Sequence, residues 1–386
     1  MLEDGWCSEC TSFTGEGEIF GELVFNTGLT GYQEIITDPS YQGQIVMMTA
    51  TMVGNYGIRD DESESLHIHT EGFVVKEYGG DRLESGEGTA SKPVRGLAPR
   101  PPLFRPFKNH NKPETLHGRV VTSLASYLSG QDVLGVEGVD TRSLTKHIRE
   151  QGAMKAGLTT KTLDKTAFLR KVTEAPGLLG RDLVREVACA EPYLYSEGDA
   201  ERIAVLDCGI KISSLYELAS RGCRVEVFPA YATKSDIMKT GPDGILLSNG
   251  PGDPAALPSI VDLVAGLIGE LPIFGICLGH QMIGQALGGK TFKLKFGHHG
   301  GNHPVRDERT KKVFITTQNH GFAVDPATLN AKDTEITFVN LNDGTNEGLR
   351  HKKLPLFSAQ FHPEAAPGPH DTLSLFAEFL AMIGKR

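Results

Sequence analysis

The run Pro272-Ile273-Phe274-Gly275-Ile276-Cys277-Leu278-Gly279-His280-Gln281 constrains this chain more than any other stretch. Ile273 to Ile276 is short and continuously apolar, the pattern of a strand buried on both faces of a parallel sheet. Gln281-Met282-Ile283-Gly284-Gln285-Ala286-Leu287 resumes with helical spacing. Between them lies Gly-x-Cys-x-Gly. With serine at its centre this corner is the nucleophile elbow, a strained strand-to-helix turn that pushes one reactive side chain out of the sheet. Its glycines let the strand and the helix approach closely. Cys277 then sits at a helix N-terminus, where the macrodipole and free N–H groups favour a thiolate. Cysteine is also among the most buried residue types, so an inert core cysteine fits this run about as well.

Two distant segments shift that balance. Ser248-Asn249-Gly250-Pro251-Gly252-Asp253-Pro254 follows the apolar strand Gly244-Ile245-Leu246-Leu247. A turn in that place exposes backbone N–H groups, as an oxyanion hole requires, although alone it is an ordinary βα turn. In Phe357-Ser358-Ala359-Gln360-Phe361-His362-Pro363-Glu364 a strand ends in a histidine, with a carboxylate two residues on. Alone, His362 is equally a structural histidine. In chain order the three segments supply an oxyanion turn, a nucleophile, a base and an orienting acid, the roles of a triad.

Phe274 to Gln281 resembles the signature of the class I, or triad, glutamine amidotransferases. The resemblance implies Cys277 as nucleophile on the glutamine carboxamide, His362 as general base and acid, and Glu364 as the residue that orients His362. It also implies glutamine contacts at Gly250 and Gly252 on the turn, Leu278 and Gln281 after the elbow, and Asn319, Gly321 and Phe322 in an expected turn at Gln318-Asn319-His320-Gly321-Phe322. The N–H groups of Leu278 and Gly252 would face the oxyanion, while Gln281 and residues 319–322 would hold the amino-acid end.

The first half is β-rich, with strand candidates at Gly21–Asn26, Gln44–Thr49 and Gly72–Lys76. Gly31 to Tyr41 reads as a loop with an embedded apolar step. Leu23 to Ile35 and Thr37 to Tyr41 resemble the small-subunit family of carbamoyl phosphate synthetase, as do Asp140-Thr141-Arg142-Ser143-Leu144-Thr145 and Pro176 to Val184. Asp140 or Thr141 can cap the helix that starts there. This resemblance spans nearly the whole chain. It implies Ser40 as a further glutamine contact, and a large synthetase subunit as partner, which uses ATP, magnesium and bicarbonate. No phosphate-cradling Gly-x-x-x-x-Gly-Lys-Ser/Thr occurs here, so no cofactor is expected in this chain. A non-catalytic subunit that only shapes the partner is the competing reading, and the intact triad argues against it.

Against that family, an apolar strand before Leu2-Glu3-Asp4-Gly5 is missing, which predicts a bare or repaired sheet edge. Residues from about 80 to 118 form an insertion. Within Lys92 to Arg119 there are seven basic residues, six prolines and one acid, Glu114, too little apolar surface to fold alone. Ser213 stands where asparagine is usual, in Asp207-Cys208-Gly209-Ile210-Lys211-Ile212-Ser213.

At 386 residues the chain is long enough for two domains. We expect an α+β N-terminal domain over 1–195, a polar linker from Tyr193 to Glu201, and an α/β domain over 200–386 with a doubly wound, mostly parallel sheet. The net charge of −9 argues against a nucleic-acid surface. No apolar run approaches membrane-spanning length. Six cysteines in a chain this long do not form a disulfide framework, and a reducing, cytoplasmic compartment suits a thiolate. Cys7-Ser8-Glu9-Cys10 has no second pair and reads as chance. His298-His299-Gly300-Gly301-Asn302-His303 reads as a shaped loop rather than a zinc site, so no metal is expected.

Overall fold

The computed structural model describes residues 1–80, 120–161 and 164–384; most of the basic, proline-rich insertion lies outside them. The chain divides into two compact units, Met1–Leu178 and Leu179–Arg386.

The N-terminal unit is built on a six-stranded sheet in the order 11–12, 134–137, 72–74, 44–48, 18–26, 154–159. The four central strands run parallel and the two outer ones antiparallel. Gln44–Met48 is buried at every position, as a strand covered on both faces must be. Leu2 bridges Ala156 in antiparallel fashion, so the first residues lie along that edge. Asp140 does cap the helix Thr141–Gln151, accepting from the Ser143 N–H at 3.0 Å. The stretch read as a loop after Gly31 is instead the helix Tyr32–Thr37, followed by a 3-10 turn at Pro39–Tyr41. Six residues are too few to show a helical period, but burial of Tyr32, Ile35 and Ile36 offsets the cost of ordering so short a helix.

The C-terminal unit carries a ten-stranded sheet in the order 193–197, 224–229, 202–207, 244–247, 273–276, 356–359, 346–351, 334–340, 290–307, 313–325. Its parallel part runs from 224–229 to 356–359, the doubly wound arrangement expected. One apolar cluster includes Leu206, Ile245, Ile273 and Met282, and a second includes Val205, Leu246, Phe274 and Phe379. Alternate residues of single strands belong to different clusters, which fixes the register.

Two expectations change here. Residues 193–197, expected as linker, pair antiparallel with 224–229 as an edge strand. Polar edge strands lack the apolar run that marks central ones. Residues 298–303, expected as a loop, lie inside the long strand Lys290–Asp307, whose pairing with Val313–Asp325 shifts register between Lys293 and His298 and again between Gly300 and His303. Those bulges break the period-two pattern that would have marked a strand. Among the described residues, no helix is long and apolar enough to cross a membrane.

Candidate active site

Ile273–Ile276 ends at Cys277, and the helix Leu278–Ala286 begins one residue later. Cys277 adopts φ 52°, ψ −102°, a backbone conformation rarely seen outside glycine. Its own N–H is tied to the Ala359 carbonyl at 2.8 Å, and the Gly279 N–H to the Ser248 carbonyl at 3.1 Å. A Cβ on Gly279 would stand 2.3 Å from the Leu247 carbonyl oxygen, so only glycine lets the helix seat against the neighbouring strand. A Cβ on Gly250 would likewise meet the Cys208 carbonyl at 2.1 Å and Leu278 at 2.8 Å. The elbow and the 248–254 turn are therefore packed on each other.

His362 follows the next parallel strand, Leu356–Ala359. Its N–H donates to the Thr317 carbonyl at 2.9 Å, which joins it to the strand Val313–Asp325. His362 Nδ1 and Glu364 Oε1 are 2.7 Å apart, and both side chains are essentially unexposed. His362 Nε2 makes no hydrogen bond of standard geometry. Burial opposes a proton on His362, but Glu364 and Cys277 outweigh it and push its pKa up to about 10. The thiol of Cys277 donates to the Asn319 carbonyl at 3.5 Å.

Lys211 completes the group, and sequence reasoning missed it. Its Nζ lies 3.0 Å from Glu364 Oε1, with the lysine side chain 1% exposed. Burial alone would raise the Glu364 pKa; Lys211 first and His362 second override it and hold it at about 2. The turn that delivers Lys211 is built by Asp207, whose Oδ1 accepts from the N–H groups of Gly209 and Ile210. Asn249 clasps the same turn, donating to the Gly209 carbonyl and accepting from the Lys211 N–H. The only signal in the sequence was a lysine in an otherwise apolar strand-to-helix corner.

The expected glutamine contacts fall unevenly. Gln281 Nε2 donates to the Phe322 carbonyl at 2.8 Å and to Gln360 Oε1 at 3.1 Å. His299 Nδ1 is 3.0 Å from Asn319 Oδ1. Asn319, Gly321 and Phe322 lie on a strand, not on the turn expected, because the bulge opposite them distorts the ladder without ending it. A Cβ at Gly321 would meet nothing within 4 Å. Gly252, at φ 86°, lies nearest Leu183 and Arg181. Ser40 is buried in the 3-10 turn of the N-terminal unit, its N–H bonded to Asp38.

Comparison with known proteins agrees with this layout. Residues 204–382 match the family model for class-I glutamine amidotransferase. Residues 1–87 and 108–158 match that for the carbamoyl-phosphate synthase small chain, CPSase domain. The carbamoyl phosphate synthase small chain of Aquifex aeolicus is 46% identical over 394 residues, covering 99% of this chain and 97% of that one. That of Akkermansia muciniphila is 45% identical, over 99% and 96%. The chloroplastic small chain of Arabidopsis thaliana is 41% identical, over 99% and 84%. At such identity along almost its full length, the chain belongs to the carbamoyl phosphate synthase small-chain family of class-I glutamine amidotransferases.

Proposed function

We propose that Cys277, His362 and Glu364 hydrolyse glutamine through a glutamyl thioester and that the ammonia released is handed to a large synthetase subunit. The observation that carries this reading is the buried row Cys277, His362, Glu364, Lys211, in which each charge has an opposite neighbour. The thiol proton of Cys277 passes to His362 as Sγ attacks the carboxamide carbon and forms the C–S bond. The negative charge moves onto the carboxamide oxygen, where the N–H groups of Leu278 and Gly252 are the assigned donors. His362 gives its proton to the nitrogen as the C–N bond breaks, and ammonia leaves. Water then attacks the thioester, His362 takes a proton from it, the C–S bond breaks, and glutamate is released. Glu364 orients His362 and balances its charge without itself taking the proton. Gly250, Gln281, Asn319, Gly321, Phe322 and Ser40 are the assigned contacts to the rest of glutamine. ATP, magnesium and bicarbonate chemistry is assigned to the large subunit.

The test is Cys277→Ser in the complex with a large subunit. Glutamine-dependent carbamoyl phosphate formation should vanish, while ammonia at high concentration still supports it. His362→Asn should behave alike, and Glu364→Gln should keep more activity than either. Loss of the ammonia-dependent reaction in an assembled Cys277→Ser complex would refute the division of labour.

A further inference from the structure

The strand that carries Asn319, Gly321 and Phe322 also enters a second buried polar group, centred on Glu347. That carboxylate is fully buried. Asn340 Nδ2 donates to its Oε1 at 2.9 Å, and Gln318 Nε2 donates to its Oε2 at 2.9 Å. Gln318 Nε2 also donates to Thr316 Oγ1 at 3.1 Å, while the Thr316 hydroxyl donates to the His303 carbonyl at 2.9 Å. Thr316 Oγ1 can therefore only accept from Gln318, and the amide is fixed with its nitrogen toward Glu347. Gln318 Oε1 consequently meets His320 Nε2 at 3.0 Å, and His320 Nδ1 meets the Phe322 carbonyl at 2.8 Å. The same carbonyl accepts from Gln281. One unbroken series of contacts at hydrogen-bond distance runs from Glu347 to the segment assigned to glutamine.

Gln318 Oε1 and the Phe322 carbonyl only accept, so His320 makes both bonds together only with a hydrogen on each nitrogen. Burial, with His298 next, presses the His320 pKa well down. The neutral ring that burial favours therefore donates to one of the two oxygens and is held at contact distance from the other.

We propose that Glu347 is a positioning residue for glutamine binding, acting through Gln318 and His320 on the Phe322 carbonyl and Gln281. This rests on reading 319–322 and Gln281 as glutamine contacts. A metal site competes for the same residues, since His298, His320 and Glu347 bring donor atoms within 4.8 Å of one another. His298 is already engaged elsewhere. His298 Nε2 is 2.9 Å from Asp343 and its Nδ1 is 3.5 Å from Glu347. Burial opposes a proton there, but the two carboxylates outweigh it and push the His298 pKa up to about 9. A zinc ion would need neutral imidazoles with a free lone pair.

The experiment is a double-mutant cycle on the purified chain with its large subunit. Glu347→Ala should raise the KM for glutamine about tenfold, the loss of one hydrogen bond to a buried charge, with kcat within about threefold. Gln318→Met should do the same, and the double variant should be no worse than either single one. Glu347→Gln, which keeps an acceptor for Gln318, should restore KM most of the way. Additive KM effects, or a fall in kcat at unchanged KM, would overturn the proposal. So would one equivalent of bound zinc whose chelation raises KM. If Glu347→Ala does not fold, Gln318→Met must show the KM rise by itself, and an unchanged KM there is equally fatal. Turnover by the wild type and its loss in Cys277→Ser test the underlying reading separately.

Discussion

Replacing Lys211 by methionine keeps the bulk of the side chain and removes the cation that faces Glu364. The native contact is 3.0 Å between two unexposed side chains, so solvent does little to screen it. The Glu364 pKa falls from 4.5 to about 2 in the folded chain, with Lys211 the first of its favourable causes. That fall corresponds to about 3 kcal/mol of folding stability at neutral pH. Removing one partner of a buried pair costs about 3–5 kcal/mol in general, which agrees. Lys211→Met should therefore lower the melting temperature of the C-terminal unit by about 6–12 °C at pH 7. The sign with pH follows from the depressed carboxylate. Its stabilisation is present above pH 4.5, the unfolded value, and disappears as pH falls toward 2. Urea unfolding of both proteins at pH 7, 5 and 3 should show a gap that is full at pH 7 and shrinks at pH 3. Equal stabilities at pH 7, or a gap that stays constant across the series, would refute the argument.

Reagent choice should invert the order in which cysteines react: a glutamine-like chloroketone labels Cys277 first, whereas a small general alkylator reaches exposed Cys10 before buried Cys277. Peptide mapping after partial labelling reads this out. Gly279→Ala places a Cβ 2.3 Å from the Leu247 carbonyl, so it should cost about 1–3 kcal/mol, seen as a lower melting temperature together with slower glutamine turnover. His362 is the opposite case from Glu364, its folded pKa being raised from 6.5 to about 10. Its contribution is whole below pH 6.5 and is lost as pH rises through 10, so the stability difference from His362→Asn should narrow between pH 7 and pH 10, as denaturant titrations would measure.

The elbow was legible because everything that makes it is local: an apolar strand, two close-packed glycines and a helical run lie within sixteen residues of sequence. His362 and Glu364 were legible as a pair for the same reason, being two residues apart at the end of an apolar strand. Lys211 was not, because its partner is 153 residues away and only the sheet order brings them together. The 290–307 strand was hidden by its own bulges, and no local pattern showed that His298 in it would lie beside Asp343 and Glu347. The 193–197 strand was hidden by its polarity. In each miss the deciding information was a neighbour in space that contributes no pattern to the local sequence.

The backbone at Cys277 sets the chain's chemistry against its own durability. A non-glycine residue at φ 52°, ψ −102° costs on the order of 1–3 kcal/mol, and glycine would relieve most of it while adding about 0.5–1 kcal/mol of unfolded-state entropy. Replacing the nucleophile by glycine would thus offset part of what the lost buried side chain and the lost partner of His362 cost. A screen that ranks variants by heat resistance or yield alone gives the strained backbone no credit for its chemistry, and directed evolution of this protein has to assay glutamine turnover in every round.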